Sequence, residues 1–113
     1  MHELSLMDRV RELALAQAEG HGASRITAIR LRIGALAGVD PDALRFAHEV
    51  VMAETIAAGS QLELELVAAR CQCAPCGAPF EALDGVCICP RCGAISGELL
   101  QGRELELASL ELL

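Results

Sequence analysis

Six cysteines occur as two copies of one triplet, Cys71-x-Cys73-x-x-Cys76 and Cys87-x-Cys89-x-x-Cys92, offset by sixteen residues. Each triplet contains a Cys-x-x-Cys followed at once by glycine: Cys73-Ala-Pro-Cys76-Gly77 and Cys89-Pro-Arg-Cys92-Gly93. Two such knuckles can place four thiolates at the corners of a tetrahedron, the arrangement of a closed structural zinc site. The glycines suit a turn whose backbone must take positive φ close to the sulfurs. Cys73, Cys76, Cys89 and Cys92 are therefore the expected zinc ligands. Four ligands fill the site, so Cys71 and Cys87 are left over. The favoured reading makes them two small buried hydrophobes; alternative ligands or a redox pair are the sharper readings. Of nearby side chains only Arg70 and Arg91 could lower a thiol pKa.

The start, Met1-His2-Glu3, offers a second metal chemistry. An α-amine, the backbone nitrogen of His2 and its imidazole can close adjacent chelate rings around one ion. Nitrogen-rich, square-planar or tetragonal sites suit Ni(II) or Cu(II). Glu3 is close enough in the chain to add a carboxylate.

Composition narrows the possibilities. A chain of 113 residues is one domain, or one domain with a small insert. Hydrophobic residues make up 53% and aromatics 2%, so aliphatic side chains must fill the core. All nine basic residues are arginine and the net charge is −7. Such a balance repels phosphate backbones and argues against general nucleic-acid binding. No apolar run approaches the roughly 18 residues of a membrane span. The first residues lack the basic and apolar regions of a signal peptide, which makes the cytoplasm the expected compartment. There, clustered cysteines read as metal ligands rather than disulfides.

The elements that must position these residues follow from periodicity. Leu6, Met7, Val10, Leu13, Ala14 and Ala18 have helical spacing, with Ser5 as N-cap and Asp8 three residues on. A helix over about 5–19 is expected, ending at Gly20 and Gly22, with His21 as a terminator. Residues 25–33 alternate as a strand around Ile29, Leu31 and Ile33. Asp40-Pro41 starts a second helix, Asp at N-cap and Pro at N1, running to about Thr55. It should bury Leu44, Ala47, Val51 and Phe46, with His48 at the surface or core edge. Residues 61–68 alternate as a half-buried strand. Arg103 to Leu113 is another, whose alternation slips at Ala108-Ser109; a bulge there would restore one buried face. The pairs Glu63/Glu65 and Glu104/Glu106 are strand faces, and no catalytic triad or phosphate-binding loop is evident, so no enzyme is expected. The fold class is α+β: two helices on a small, mainly antiparallel three-stranded sheet. The expected division is 1–69 plus 97–113 as one domain, with 70–96 as a zinc-ribbon-like module inserted before the last strand. That module is too small to hold together without metal.

Met1-His2-Glu3-Leu4-Ser5 at the start resembles the nickel-insertion accessory proteins of hydrogenase and urease (the HypA/HybF type). So do Ile33-Gly34-Ala35-Leu36-Ala37-Gly38-Val39-Asp40 before the second helix, the two knuckles, and Gly102-Arg103-Glu104-Leu105 before the last strand. The resemblance spans essentially the whole chain. It implies a nickel metallochaperone serving [NiFe]-hydrogenase. It carries the nickel site onto Met1, His2, Glu3 and Asp40, and structural zinc onto Cys73, Cys76, Cys89 and Cys92. The implied partners are a nickel-loading GTPase, a hydrogenase large subunit and, in some organisms, urease maturation proteins. Cys71 and Cys87 lie outside the family's minimal pattern. Two rivals stand beside this reading. A zinc-ribbon adaptor for nucleic acid or protein would have no nickel function, and a dithiol oxidoreductase would use a Cys-x-x-Cys without metal.

Overall fold

A computed structural model describes residues 3–82 and 85–113. In chain order the elements are α1 (Glu3–Gly20), β1 (Ile26–Gly34), α2 (Pro41–Met52), β2 (Gln61–Val67), β3 (Arg70–Cys73), β4 (Ala78–Glu81), β5 (Glu98–Gln101) and β6 (Leu105–Leu112). The strands form two three-stranded sheets, ordered β2-β1-β6 and β4-β3-β5. The α+β class holds, and the second sheet, β4-β3-β5, is one that the sequence pattern does not show.

In the first sheet the direction of each pair follows from its connection. The bond from Leu113 N to Arg25 O (2.9 Å) and that from Gly34 N to Glu104 O (2.8 Å) join opposite ends of β1 and β6, an antiparallel pair. The β2 side advances in step instead. Arg25 Nη2 donates to Ala58 O, Arg30 Nε to Glu63 Oε2 and Ala35 N to Val67 O. β1 and β2 are thus the parallel pair, with α2 as the helical crossover such a pair requires. β1 is the central strand, and it buries Ile26, Ala28, Ile29, Leu31 and Ile33, more than strict alternation gives.

The chain forms two compact units. The first comprises Met1–Leu31, Gly38–Glu65 and Glu106–Leu113; the second comprises Arg32–Ala37 and Leu66–Leu105. The second takes in more chain than the 70–96 cysteine segment. In the first, α1 packs on α2. α1 begins at Glu3, so Ser5 lies inside the helix and is not its cap. Its buried stripe is Met7, Val10, Ala14 and Ala18; Leu6 is half-buried and Leu13 exposed, because the stripe is narrower than the apolar spacing suggested.

α2 starts as its sequence dictates. Asp40 is in extended conformation (φ −84°, ψ 118°), its Oδ1 accepts from Asp42 N at 2.9 Å, and Pro41 occupies the first turn. It ends at Met52, three residues before the expected Thr55, and Glu54 turns the chain with a φ of 65°. Leu44, Ala47 and Val51 are buried, but Phe46 is 66% exposed. His48 takes the inward place, only 6% exposed, with Nε2 2.9 Å from the buried Ser60 Oγ. An imidazole tolerates burial where its polar tip has a partner. Lost solvation holds its pKa below the ordinary value; Arg45 adds to this and Glu49 opposes it. A histidine kept neutral by the fold contributes stability that is lost as pH falls through the unfolded value of about 6.5. Thermal unfolding of the wild type should therefore fall more steeply between pH 7.5 and 5.5 than that of His48→Gln. Parallel profiles would exclude His48 as the cause.

β2 buries Leu62, but Leu66 is 66% exposed, so the alternation seen in sequence buries only its first turn of the pattern. In β6 the half-buried residues switch parity between Leu107 and Ala108, where the slip in alternation was located.

Within the second unit Gly34 meets Gly102 backbone to backbone. A Cβ on Gly34 would overlap the Gly102 carbonyl, and Leu36 N donates to that same oxygen at 2.7 Å. Backbone cannot move aside as a flexible side chain can. Gly34→Ala should cost about 1–3 kcal/mol in denaturant unfolding. An unchanged midpoint would show that the two segments can separate freely.

Candidate metal centres

The first knuckle is the turn between β3 and β4. These strands pair antiparallel, Cys71 opposite Phe80 and Cys73 opposite Ala78. The turn closes with Gly77 N donating to Cys73 O at 2.8 Å, at a Gly77 φ of 66°. The second knuckle repeats this: Gly93 N donates to Cys89 O at 2.8 Å, with φ 73°. Cys89 N to Ala94 O, Ser96 N to Cys87 O and an Ile88–Ile95 bridge hold its base. Both glycines adopt the positive φ that their place after Cys-x-x-Cys calls for.

The knuckles bring four sulfurs together. Those of Cys73, Cys76, Cys89 and Cys92 all lie within 4.8 Å of one another, Cys73 and Cys89 buried, Cys76 and Cys92 exposed. The Cys73–Cys92 sulfurs are 3.5 Å apart and the Cys76–Cys89 sulfurs 3.9 Å. A tetrahedron with Zn–S bonds of about 2.3 Å has edges of about 3.8 Å, so the donor set fits zinc in number, type and size. Proton affinities reflect the crowding. Sulfur contacts with Cys92 and Cys73 push the Cys76 thiol up to about 12, while the amides of Cys92 and Arg91 bring Cys89 down to about 6. Four sulfurs this close cannot all be thiolates unless a cation lies among them.

Cys71 and Cys87 are not merely two buried hydrophobes. Their sulfurs are joined in a disulfide with Cα atoms 6.0 Å apart. Cys71 is buried and Cys87 half-buried. The signal was present in the repeat: the register that aligns the knuckles also aligns the residues two positions before each.

The second cluster lies where α1 and α2 begin. Glu3 Oε2 accepts from the Asp40 amide at 3.2 Å, which brings Glu3 beside Asp40 although 37 residues separate them. The Asp40 amide, followed by Glu3's own, holds the Glu3 pKa below the ordinary value. Asp40 spends one oxygen on its capping bond. Met1 and His2, the other expected nickel ligands, lie outside the described residues.

A family model described as hydrogenase/urease nickel incorporation, metallochaperone, HypA, matches residues 1–112. The chain belongs to this family. It is 42% identical over 113 residues to a hydrogenase maturation factor HypA of Picosynechococcus, covering all of both chains. It is 46% identical to the Synechococcus protein of that name, covering 98% of each. The solution structure of the Ni metallochaperone HypA from Helicobacter pylori superimposes with a TM-score of 0.71 at 27% identity, covering 100% of this chain and 98% of that one. These findings bear out the resemblance carried by the motifs. Among the described residues no helix is long and apolar enough to cross a membrane.

Proposed function

We propose that this protein receives Ni(II) at the start of its chain and delivers it for maturation of a [NiFe]-hydrogenase. Membership of the nickel-incorporation family supports the cargo. The observation that supports the site is the Glu3–Asp40 contact, which brings Glu3, two residues after Met1 in the chain, to the residue that caps α2. In this reading the Met1 amine, the His2 backbone and imidazole nitrogens, Glu3 and Asp40 hold nickel. Cys73, Cys76, Cys89 and Cys92 hold structural zinc. The donor chemistry separates the two: borderline nitrogen and hard oxygen suit a cargo that must leave, whereas four thiolates close around zinc permanently. The protein catalyses no reaction of its own. Its partners are a nickel-loading GTPase and a hydrogenase large subunit, with urease maturation proteins as further clients, all in the cytoplasm.

Nickel titration of a chain with its native start, beside His2→Ala, tests this directly. His2→Ala should lose the high-affinity site and keep its zinc; retained nickel affinity would refute the assignment. Asp40 has two separable roles. Asp40→Ala should lose about 1 kcal/mol of stability with the cap, and weaken nickel binding as well. Asp40→Asn keeps the cap and removes the charge. Wild-type nickel affinity in Asp40→Asn would leave Asp40 with capping alone.

A further inference from the structure

The Cys71–Cys87 disulfide closes the same interval as the zinc knuckles. Cys71 and Cys87 are 16 residues apart, and so are Cys73 and Cys89, the first sulfurs of the two knuckles. Cys71 shares β3 with Cys73, two residues away and on the same side of the strand. The bond therefore ties β3 to the second knuckle one step from the cluster. The other links across this interval are non-covalent: Ser96, bonded to Cys87 O, donates its Oγ to Gln72 O, and β5 pairs with β3. The core of this unit is Ala69, Cys71, Cys73, Phe80, Ala82 and Cys89, edged by Leu36, Cys87, Ala94 and Leu99. One aromatic ring and small side chains give weak cohesion, so covalent and metal links decide whether the knuckles stay aligned.

We propose that Cys71 and Cys87 form a reversible dithiol–disulfide switch that sets how firmly the four-sulfur cluster keeps its metal. The co-reactant is a small-molecule disulfide. The Cys87 sulfur, the more accessible of the two, attacks it; that S–S bond breaks and one small thiol leaves. The Cys71 sulfur then attacks the mixed disulfide at Cys87, and the second small thiol leaves. Two electrons and two protons pass from the cysteine pair to the small disulfide, which ends as two thiols. The same steps run backwards in excess small thiol. Closed, the bond holds the knuckles in register when metal departs, so the apo site stays assembled and recaptures its ion. Open, the apo unit has only hydrogen bonds across this interval and gives up the ion more readily.

The test uses the full, zinc-loaded chain equilibrated in oxidised or reduced glutathione buffer, with the small thiols removed before a chromogenic chelator is added. Peptide mass mapping should find Cys71 linked to Cys87 in the oxidised sample, with the other four cysteines free. Zinc transfer to the chelator should be about tenfold slower from the oxidised chain, a part of what closing a loop of this length can supply. The Cys71→Ala/Cys87→Ala chain should transfer zinc at the reduced rate in both buffers. Equal wild-type rates in the two buffers would overturn the proposal, as would a disulfide that forms on a cluster sulfur instead. The wild-type comparison needs no substitution, so poor folding of the double variant does not affect it.

Discussion

Stripping zinc from the reduced chain should disorder residues 70–96 and leave α1 and α2 helical. Structural zinc contributes about 10–16 kcal/mol in small modules at neutral pH. The second unit has no comparable source: Phe80 is its one buried aromatic among the described residues, and its sheet strands β3, β4 and β5 have four residues each. The first unit has its own core, with Met7, Ile26, Ile29, Leu31, Leu44 and Met52 almost fully buried. Far-UV circular dichroism should keep its helical signal on chelation, while amide resonances of residues 70–96 collapse to unfolded positions. Cys89→Ser should reproduce the effect without chelator, since it removes the sulfur that two backbone amides already favour as thiolate. Persisting, dispersed resonances for 70–96 in the zinc-free, reduced chain would show that the protein fold alone holds the knuckles.

Adding residues before Met1 should abolish high-affinity nickel binding even with His2, Glu3 and Asp40 intact. The proposed chelate needs a free α-amine and an ionised His2 amide; an extension turns the amine into a peptide nitrogen. Loss of an outer-sphere partner typically costs 10–100-fold in metal affinity, so loss of a chelating ligand should exceed about 100-fold. Binding to the native start should release protons and weaken as pH falls, because amine, amide and imidazole all compete with H⁺. The Glu3 carboxylate, held below its ordinary pKa by the Asp40 amide, should stay ionised longer than these nitrogens stay free. Absorption should show the d–d band of planar Ni(II). Zinc content should not change, because the knuckles belong to the other unit. One nickel bound with native affinity by an extended chain would return Met1-His2-Glu3 to an ordinary chain start.

The sequence by itself determined the features that rest on local chemistry. Cys-x-x-Cys-Gly announces a tight turn with a glycine in positive φ, and both knuckles have it, each closed by the glycine N–H on the first cysteine's carbonyl. Asp40-Pro41 announces a helix start, because a side-chain acceptor followed by a residue without an N–H suits the orphan donors there. The parity slip at Ala108 needed no partner strand to be seen. Tertiary structure decided what depends on neighbours. Whether Phe46 or His48 faces inward turned on Ser60 supplying a hydrogen bond twelve residues away. That Glu3 meets the amide of Asp40, 37 residues on, is a contact only the fold makes. The strands β3, β4 and β5 are four residues each, too short for any period to declare itself, and exist because they pair. Cys71 and Cys87 are chemically identical to the four other cysteines. Only the pairing of β3 and the closing of the second knuckle separate two sulfurs for one another from four for a metal.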